Sequence, residues 1–496
     1  MFAWVALVAA CAGAFGDQPV PKIIVGKDTT RVDGPVLPDG TIDYAAAQLK
    51  QITGGLTEEN NGWAIFAAAF ALWKEAEGPD DVVLDHSDKA TMKPWKDADF
   101  PDIAAMLKAN EKALALIGEA SRKSRMMIPM QVNKDNVLVR APGLGNLRIA
   151  ARTLAARAMN EIAEGKQDLA REDVATIHRL ARQQMNEPIT INEMVGQGID
   201  ATAWVVVRAG AQAGAPKDIQ NWFNQSMGLE ELRMNPSAID MNERYLALNR
   251  VMLVMRGHAD SVLSDLTMMN LESMFLTSKT GATVNPGDLD QVDWNIALRR
   301  INAKCDEVVA ILGQENAAKR RAAWDAFITE LEKEPVPGNF FDAMGGSLLD
   351  KEKGDYEAQK KQMLADVAAY LKMGKGESQA DYSERIARYF TYELKSDRDI
   401  DNLMIRGRAE QRLNMLALGL MILRDRDGAY PDTLDKVKDV IPRLPTDPFS
   451  DEAFIYVKSG KGFKIYSVGP NGKDDGGVKE TSDHVRTDGI IVEMAK

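Results

Sequence analysis

Leu413–Leu423, LNMLALGLMIL, is apolar around the whole circumference of a helix and is flanked by Arg412 and Arg424. A helix without a polar face must be covered on every side. The run is also far shorter than the ~20 apolar residues that cross a bilayer. It therefore predicts a helix buried in a large core. The chain is long enough to build one, since at roughly 150 residues per domain its 496 residues allow about three packing units. Composition is 45% hydrophobic but only 6% aromatic, so aliphatic and Met side chains must fill that core.

Periodicity supplies the rest of the fold class. In IAAMLKANEKALALIGEAS, the residues Ile103, Met106, Leu107, Leu114 and Ile117 fall near one face, which predicts an amphipathic helix. The stretch LRIAARTLAARAMNEIAEGKQDLAREDVATIHRLARQQM predicts a helical hairpin broken at Gly165, with Asp168 or Glu172 serving the second N-terminus. It looks like one tetratricopeptide unit, but no second copy follows at a fixed period, which excludes a solenoid. Further helices are expected around 190–213, 241–270, 289–313, 315–333 and 355–373, with breaks at GAPKD, TGATVNPGD and EPVPGNFFDAMGG. Residues 17–45 begin too rich in Pro and Gly for a helix and predict an extended arm. The chain is thus expected to be mainly α, an irregular helical bundle over 46–399 followed by a small α+β C-terminal domain over 400–496. In that tail the buried helix meets the stop DRDGAYP, and the segments AFIYVK, GFKIYSV and GIIVEM predict a short antiparallel sheet against it.

The formal charge of −12 disfavours a nucleic-acid partner, because phosphate binding needs a concentrated basic surface. The densest basic cluster, Lys319-Arg320-Arg321, lies in a helical pattern and reads as a solvated face. MFAWVALVAACAGAFG, followed at once by DQPVPK, reads as a secretory signal over residues 1–16, without a basic n-region. Val8-Ala9-Ala10-Cys11 also resembles a bacterial lipobox, in which Cys11 is the lipidation site; the alternatives are simple cleavage near Gly16 and a buried N-terminal helix. Export to the periplasm or cell envelope is expected, soluble or lipid-anchored, with no transmembrane span in the mature chain. A protein partner at the envelope and an unidentified ligand fit that location. The other cysteine, Cys305, sits at a helical position and reads as a small core residue.

The tail carries a family resemblance. Gly428-Ala429-Tyr430-Pro431, Leu444-Pro445-Thr446-Asp447-Pro448-Phe449, Phe454-Ile455-Tyr456 and Tyr466-Ser467-Val468-Gly469-Pro470-Asn471-Gly472 occur in that order. Together they resemble the globular domain of the type II secretion major pseudopilins, the G type, over about a fifth of the chain. The helical body also looks like large exported bacterial proteins carrying such a tail, which implies export and architecture but no activity. The pseudopilin resemblance implies a calcium ion in the turn after the YS strand, with Asn471 and Asp488 carried over as ligands and Asp474, Asp475 and Asp483 between them. The chemistry is independently reasonable, because Ca²⁺ takes about six to eight oxygens and this loop offers carboxylates, an amide and turn carbonyls. An EF-hand is excluded, with Lys473 at the third position and Ser482 at the twelfth. A merely solvated turn is the alternative.

Enzyme signatures are mostly missing: there is no HExxH, no GxSxG and no P-loop. Gly196-Gln197-Gly198-Ile199-Asp200-Ala201 fits GxGxxA, but within a helical pattern and without the strand that a dinucleotide site requires. His86, His178, His258 and His484 are widely spaced, and none shows a local metal-ligand pattern. Two functions are therefore expected to compete. One is an exported non-catalytic scaffold or binding module with a calcium-stabilised, pseudopilin-like tail; the other is an exported hydrolase with its site in a cleft of the helical body.

Overall fold

A computed structural model gives the structure of the protein and describes residues 22–77, 80–132, 138–140, 143–232, 235–256, 289–333, 336, 366, 369–477 and 491–494. The expected signal with Cys11, the histidines His258 and His484, and the expected ligands Asp483 and Asp488 lie outside them.

The described helices are α1 (Tyr44–Ile52), α2 (Trp63–Ala71), α3 (Asp80–Ala90), α4 (Pro101–Ala109), α5 (Glu111–Ser121), α6 (Leu144–Ala163), α7 (Gln167–Met185), α8 (Thr190–Ala213), α9 (Pro216–Met227), α10 (Arg244–Met255), α11 (Trp294–Leu312), α12 (Ala317–Glu332), α13 (Gln379–Thr391) and α14 (Asp397–Asp427). The strands are β1 (Met130–Val132), β2 (Leu138–Arg140), β3 (Ile455–Ser459), β4 (Gly462–Tyr466) and β5 (Ile491–Met494). The fold is mainly helical with a small C-terminal antiparallel sheet.

Contacts divide the chain into two compact units. The first comprises 1–47, 247–302 and 336–390. Its N-terminal segment has no regular helix or strand over 22–43, only a bridge between Val36 and Ile42. Buried threonines anchor that segment: Asn302 Nδ2 donates to the Thr29 carbonyl at 2.5 Å, and Tyr44 OH donates to the Thr30 carbonyl at 2.7 Å.

The second unit comprises 48–246, 303–335 and 391–496 and contains the candidate sites. The hairpin forms as α6 and α7, with Gly165 between them at φ +77°, where glycine is favoured. The two helices pack on each other and on α8, and α14 packs on α8 and α9. The expected all-apolar run is the C-terminal part of α14; Leu413, Leu416, Leu418, Leu420, Met421 and Leu423 are all buried. Gly428, at φ +79°, ends the helix in a left-handed cap. The sheet order is β3-β4-β5, antiparallel throughout, and Phe463, Ile465 and Val492 join α14 in one continuous core that reaches back to Phe66 in α2. The division expected at residue 400 falls inside α14, which runs unbroken across it.

Two local features differ from the periodicity reading. The segment 103–121 is two helices, because Asn110 interrupts it: its Nδ2 donates to the Lys74 carbonyl at 2.7 Å and its Oδ1 accepts from the Lys74 amide at 2.9 Å. The small hairpin β1–β2 was not expected; its strands are three residues each, too short for alternation to register.

Candidate functional site

The predicted calcium loop opens where β4 ends, and a buried acid fixes that point. Asp447 accepts from Ser467 Oγ at 2.9 Å, the Val468 amide at 2.8 Å and the Phe449 amide at 3.0 Å. The next turn gathers Asn471, Asp474 and Asp475. Asn471 Nδ2 donates to Asp475 at 2.7 Å, while Asp474 Oδ1 accepts from Tyr466 OH and the Gly476 amide, both at 2.9 Å. This brings three of the five predicted ligands into one turn and fits part of a hard-cation donor set. Several loop carbonyls are already engaged by protein cations. Lys464 Nζ donates to the carbonyls of Gly476 at 2.6 Å and Gly477 at 3.2 Å, and Arg321 Nε donates to that of Pro470 at 3.1 Å. Arg321 is thus not the solvated cation its basic cluster suggested; at Gly472, φ +67°, a Cβ would overlap its guanidinium. Among the described residues no cluster of three or more His, Cys, Asp or Glu could hold a metal ion. A complete calcium site would need Asp483 and Asp488.

A second polar arrangement lies within the helical body. On α8, Glu193, Gln197, Asp200, Trp204 and Arg208 follow at spacings of four, three, four and four, which places them along one stripe of the helix. His178 on α7 is buried, and its Nδ1 faces Asp200 Oδ1 at 2.8 Å; the other carboxylate oxygen accepts from Trp204 Nε1 at 2.9 Å. Burial alone would raise the Asp200 carboxyl, yet the neighbouring His178 and Arg182 together with the Trp204 hydrogen bond hold it below its ordinary value. Arg182 Nη2 is 3.6 Å from Asp200 Oδ1, and Arg208 Nη1 donates to Asn414 on α14 at 2.9 Å. Further along the stripe, burial pushes the Glu193 carboxyl up to about 8, although one of its oxygens accepts from the Asn235 amide at 3.1 Å.

Gly196 explains how α7 and α8 come close enough to build this network. A Cβ there would lie 2.7 Å from the Ala181 carbonyl oxygen and 2.6 Å from Met185 Cγ. The GxGxxA match is therefore helix packing inside α8. Of the other described histidines, His86 is half-exposed, with Nδ1 2.9 Å from Asp102 Oδ1 and its ring on Phe100. Cys305 is buried, as expected of a core residue, and burial pushes its thiol up to about 12. Sequence reasoning named His178 only as one of four widely spaced histidines without a ligand pattern, and gave Arg182, Glu193 and Asp200 no functional role. For Glu193 and Asp200 the signal is the stripe of polar residues along α8, a helix that also has to be buried, whereas Arg182 lies on α7, outside that stripe.

Compared with protein-family models, curated proteins and solved structures, the chain matches none.

Proposed function

We propose that this protein is an exported, non-catalytic scaffold or binding module of the cell envelope, whose pseudopilin-like tail is a packed part of the protein and not a filament subunit. One observation carries the reading. A pseudopilin polymerises through a long apolar helix preceding its globular domain, and the helix in that position here, α14, is covered by α8, α9 and the tail's own sheet. An apolar face already buried within the chain is not available for subunit packing. Purified full-length protein should remain one discrete species by light scattering, and filaments growing from it alone would overturn the proposal.

Calcium belongs to the same reading: Asn471, Asp474 and Asp475, with Asp483 and Asp488, would hold the ion and offset the repulsion among their acids. Calorimetric titration of the full chain should give saturable heat that Asp488→Ala abolishes. No heat at millimolar calcium would leave a solvated turn closed by Lys464. The alternative, an exported hydrolase, has one observation in its favour, the accessible and carboxylate-oriented ring of His86. Turnover of an activated ester that is lost in His86→Ala would establish it.

A further inference from the structure

The α7–α8 network contains a cation whose hydrogen bonds are not made. The three nitrogens of Arg182, Nε, Nη1 and Nη2, are all buried, and among the described residues none has a hydrogen-bond partner. A guanidinium presents five N–H donors in a planar fork, and leaving such donors unmade in a water-poor site costs more than a typical hydrogen bond gains. The nearest acid does not satisfy it. Asp200 Oδ1 is 3.6 Å from Nη2, beyond hydrogen-bond reach, and that oxygen already faces His178 Nδ1. The second ring nitrogen, His178 Nε2, is likewise buried and unpartnered, on a side chain that is only 2% exposed. Glu230, the other acid that acts on Arg182, does so through charge without a hydrogen bond.

We propose that Arg182 forms the floor of a binding site for a small oxyanion, with His178 beside it and Asp200 orienting the ring. The fork geometry matches two oxygens of a carboxylate, phosphate or sulfate group in the bidentate manner that makes Arg the preferred residue for such anions. The Arg182 side chain is 18% exposed although its nitrogens are covered, so part of its stem reaches the surface while the head group lies beneath it.

The test uses the full chain and two probes, sodium phosphate and sodium acetate, each compared with sodium chloride at matched ionic strength. At least one probe should raise the melting temperature saturably, and the winner identifies a tetrahedral or a planar oxyanion. Arg182→Gln should abolish the rise, and Arg182→Lys, which keeps the charge but not the fork, should weaken affinity at least tenfold. Arg122→Gln, at an exposed pair with Glu172, should leave it intact. To keep the test independent of how the Arg182 variants fold, the same titration is read in the unaltered protein through ¹⁵N-labelled arginine side chains, where one buried Nε–H resonance should shift saturably with the probe. Equal stabilisation by chloride, or no resonance shifting, would overturn the proposal.

Discussion

Glu193 makes the most direct prediction at the scale of a single residue. It is fully buried, one oxygen has no hydrogen-bond partner among the described residues, and burial holds its carboxyl at about 8 against an unperturbed 4.5. Below the unperturbed value both folded and unfolded chains carry the proton, so nothing is lost. As pH rises above that value the unfolded chain releases the proton while the folded chain keeps it, and stability falls until the folded group ionises. At 1.36 kcal/mol per pKa unit the loss is on the order of a few kcal/mol by alkaline pH. Glu193→Gln retains an acceptor for the Asn235 amide and removes the titration. Urea midpoints at about pH 5, 7 and 9 should therefore fall less steeply in the variant, whereas parallel slopes would place the responsible proton elsewhere, with Glu161, also held at about 8, as the next residue to replace. Little of this was legible beforehand. In ITINEMV a glutamate reads as an ordinary helix residue, and what desolvates it is packing that no local pattern reports. The His178–Asp200 pair was hidden for a related reason, since its members lie on consecutive helices 22 residues apart.

At the scale of elements, the fold was legible wherever one face or one cap decides. The hairpin broken at Gly165, the boundaries of α8 and the all-apolar run of α14 each follow from a local rule of periodicity or termination. The break at Asn110 did not, because its cause is a pair of hydrogen bonds to Lys74, remote in sequence and invisible to a periodic pattern. Of the loop predicted to hold calcium, only the first turn lies among the described residues, and there Asn471, Asp474 and Asp475 are neighbours in sequence as well as in space. The two glycines of α8 test how far element packing governs stability. Gly196 meets the Ala181 carbonyl of α7, while Gly198, two residues on, is exposed with nothing within 4 Å of a Cβ. Gly196→Ala should cost about 1–3 kcal/mol through overpacking. Gly198→Ala should gain about 0.5–1 kcal/mol from helix propensity. Chemical unfolding of the two variants side by side decides the matter, and a similar cost at both positions would mean that close α7–α8 contact is not what Gly196 provides.

At the scale of the whole molecule the question is whether the tail is a separable domain. Three ties bind it to helices of its own unit. The core is continuous from Phe66 to Val492; Asp451 Oδ2 accepts from the Ala317 amide at the start of α12 at 2.7 Å; and Arg321 from α12 holds the carbonyls of Phe449 and Pro470. A unit joined in this way should unfold as one. The distribution of tryptophan allows a clean test, because Trp324 is the last of the eight and the tail has none. Asp447 lies deep in the tail, and Asp447→Ala leaves the amides of Phe449 and Val468 and the hydroxyl of Ser467 without their acceptor. Buried donors stripped of a charged acceptor should cost about 3 kcal/mol. If tail and helices share one transition, tryptophan fluorescence must report that loss from residues that touch none of the altered groups, as a lower urea midpoint at unchanged slope. Far-ultraviolet circular dichroism should move by the same amount. A fluorescence midpoint that stays in place while the circular dichroism splits into two steps would instead show that the tail unfolds by itself, and that the shared core does not couple it to the helices beneath.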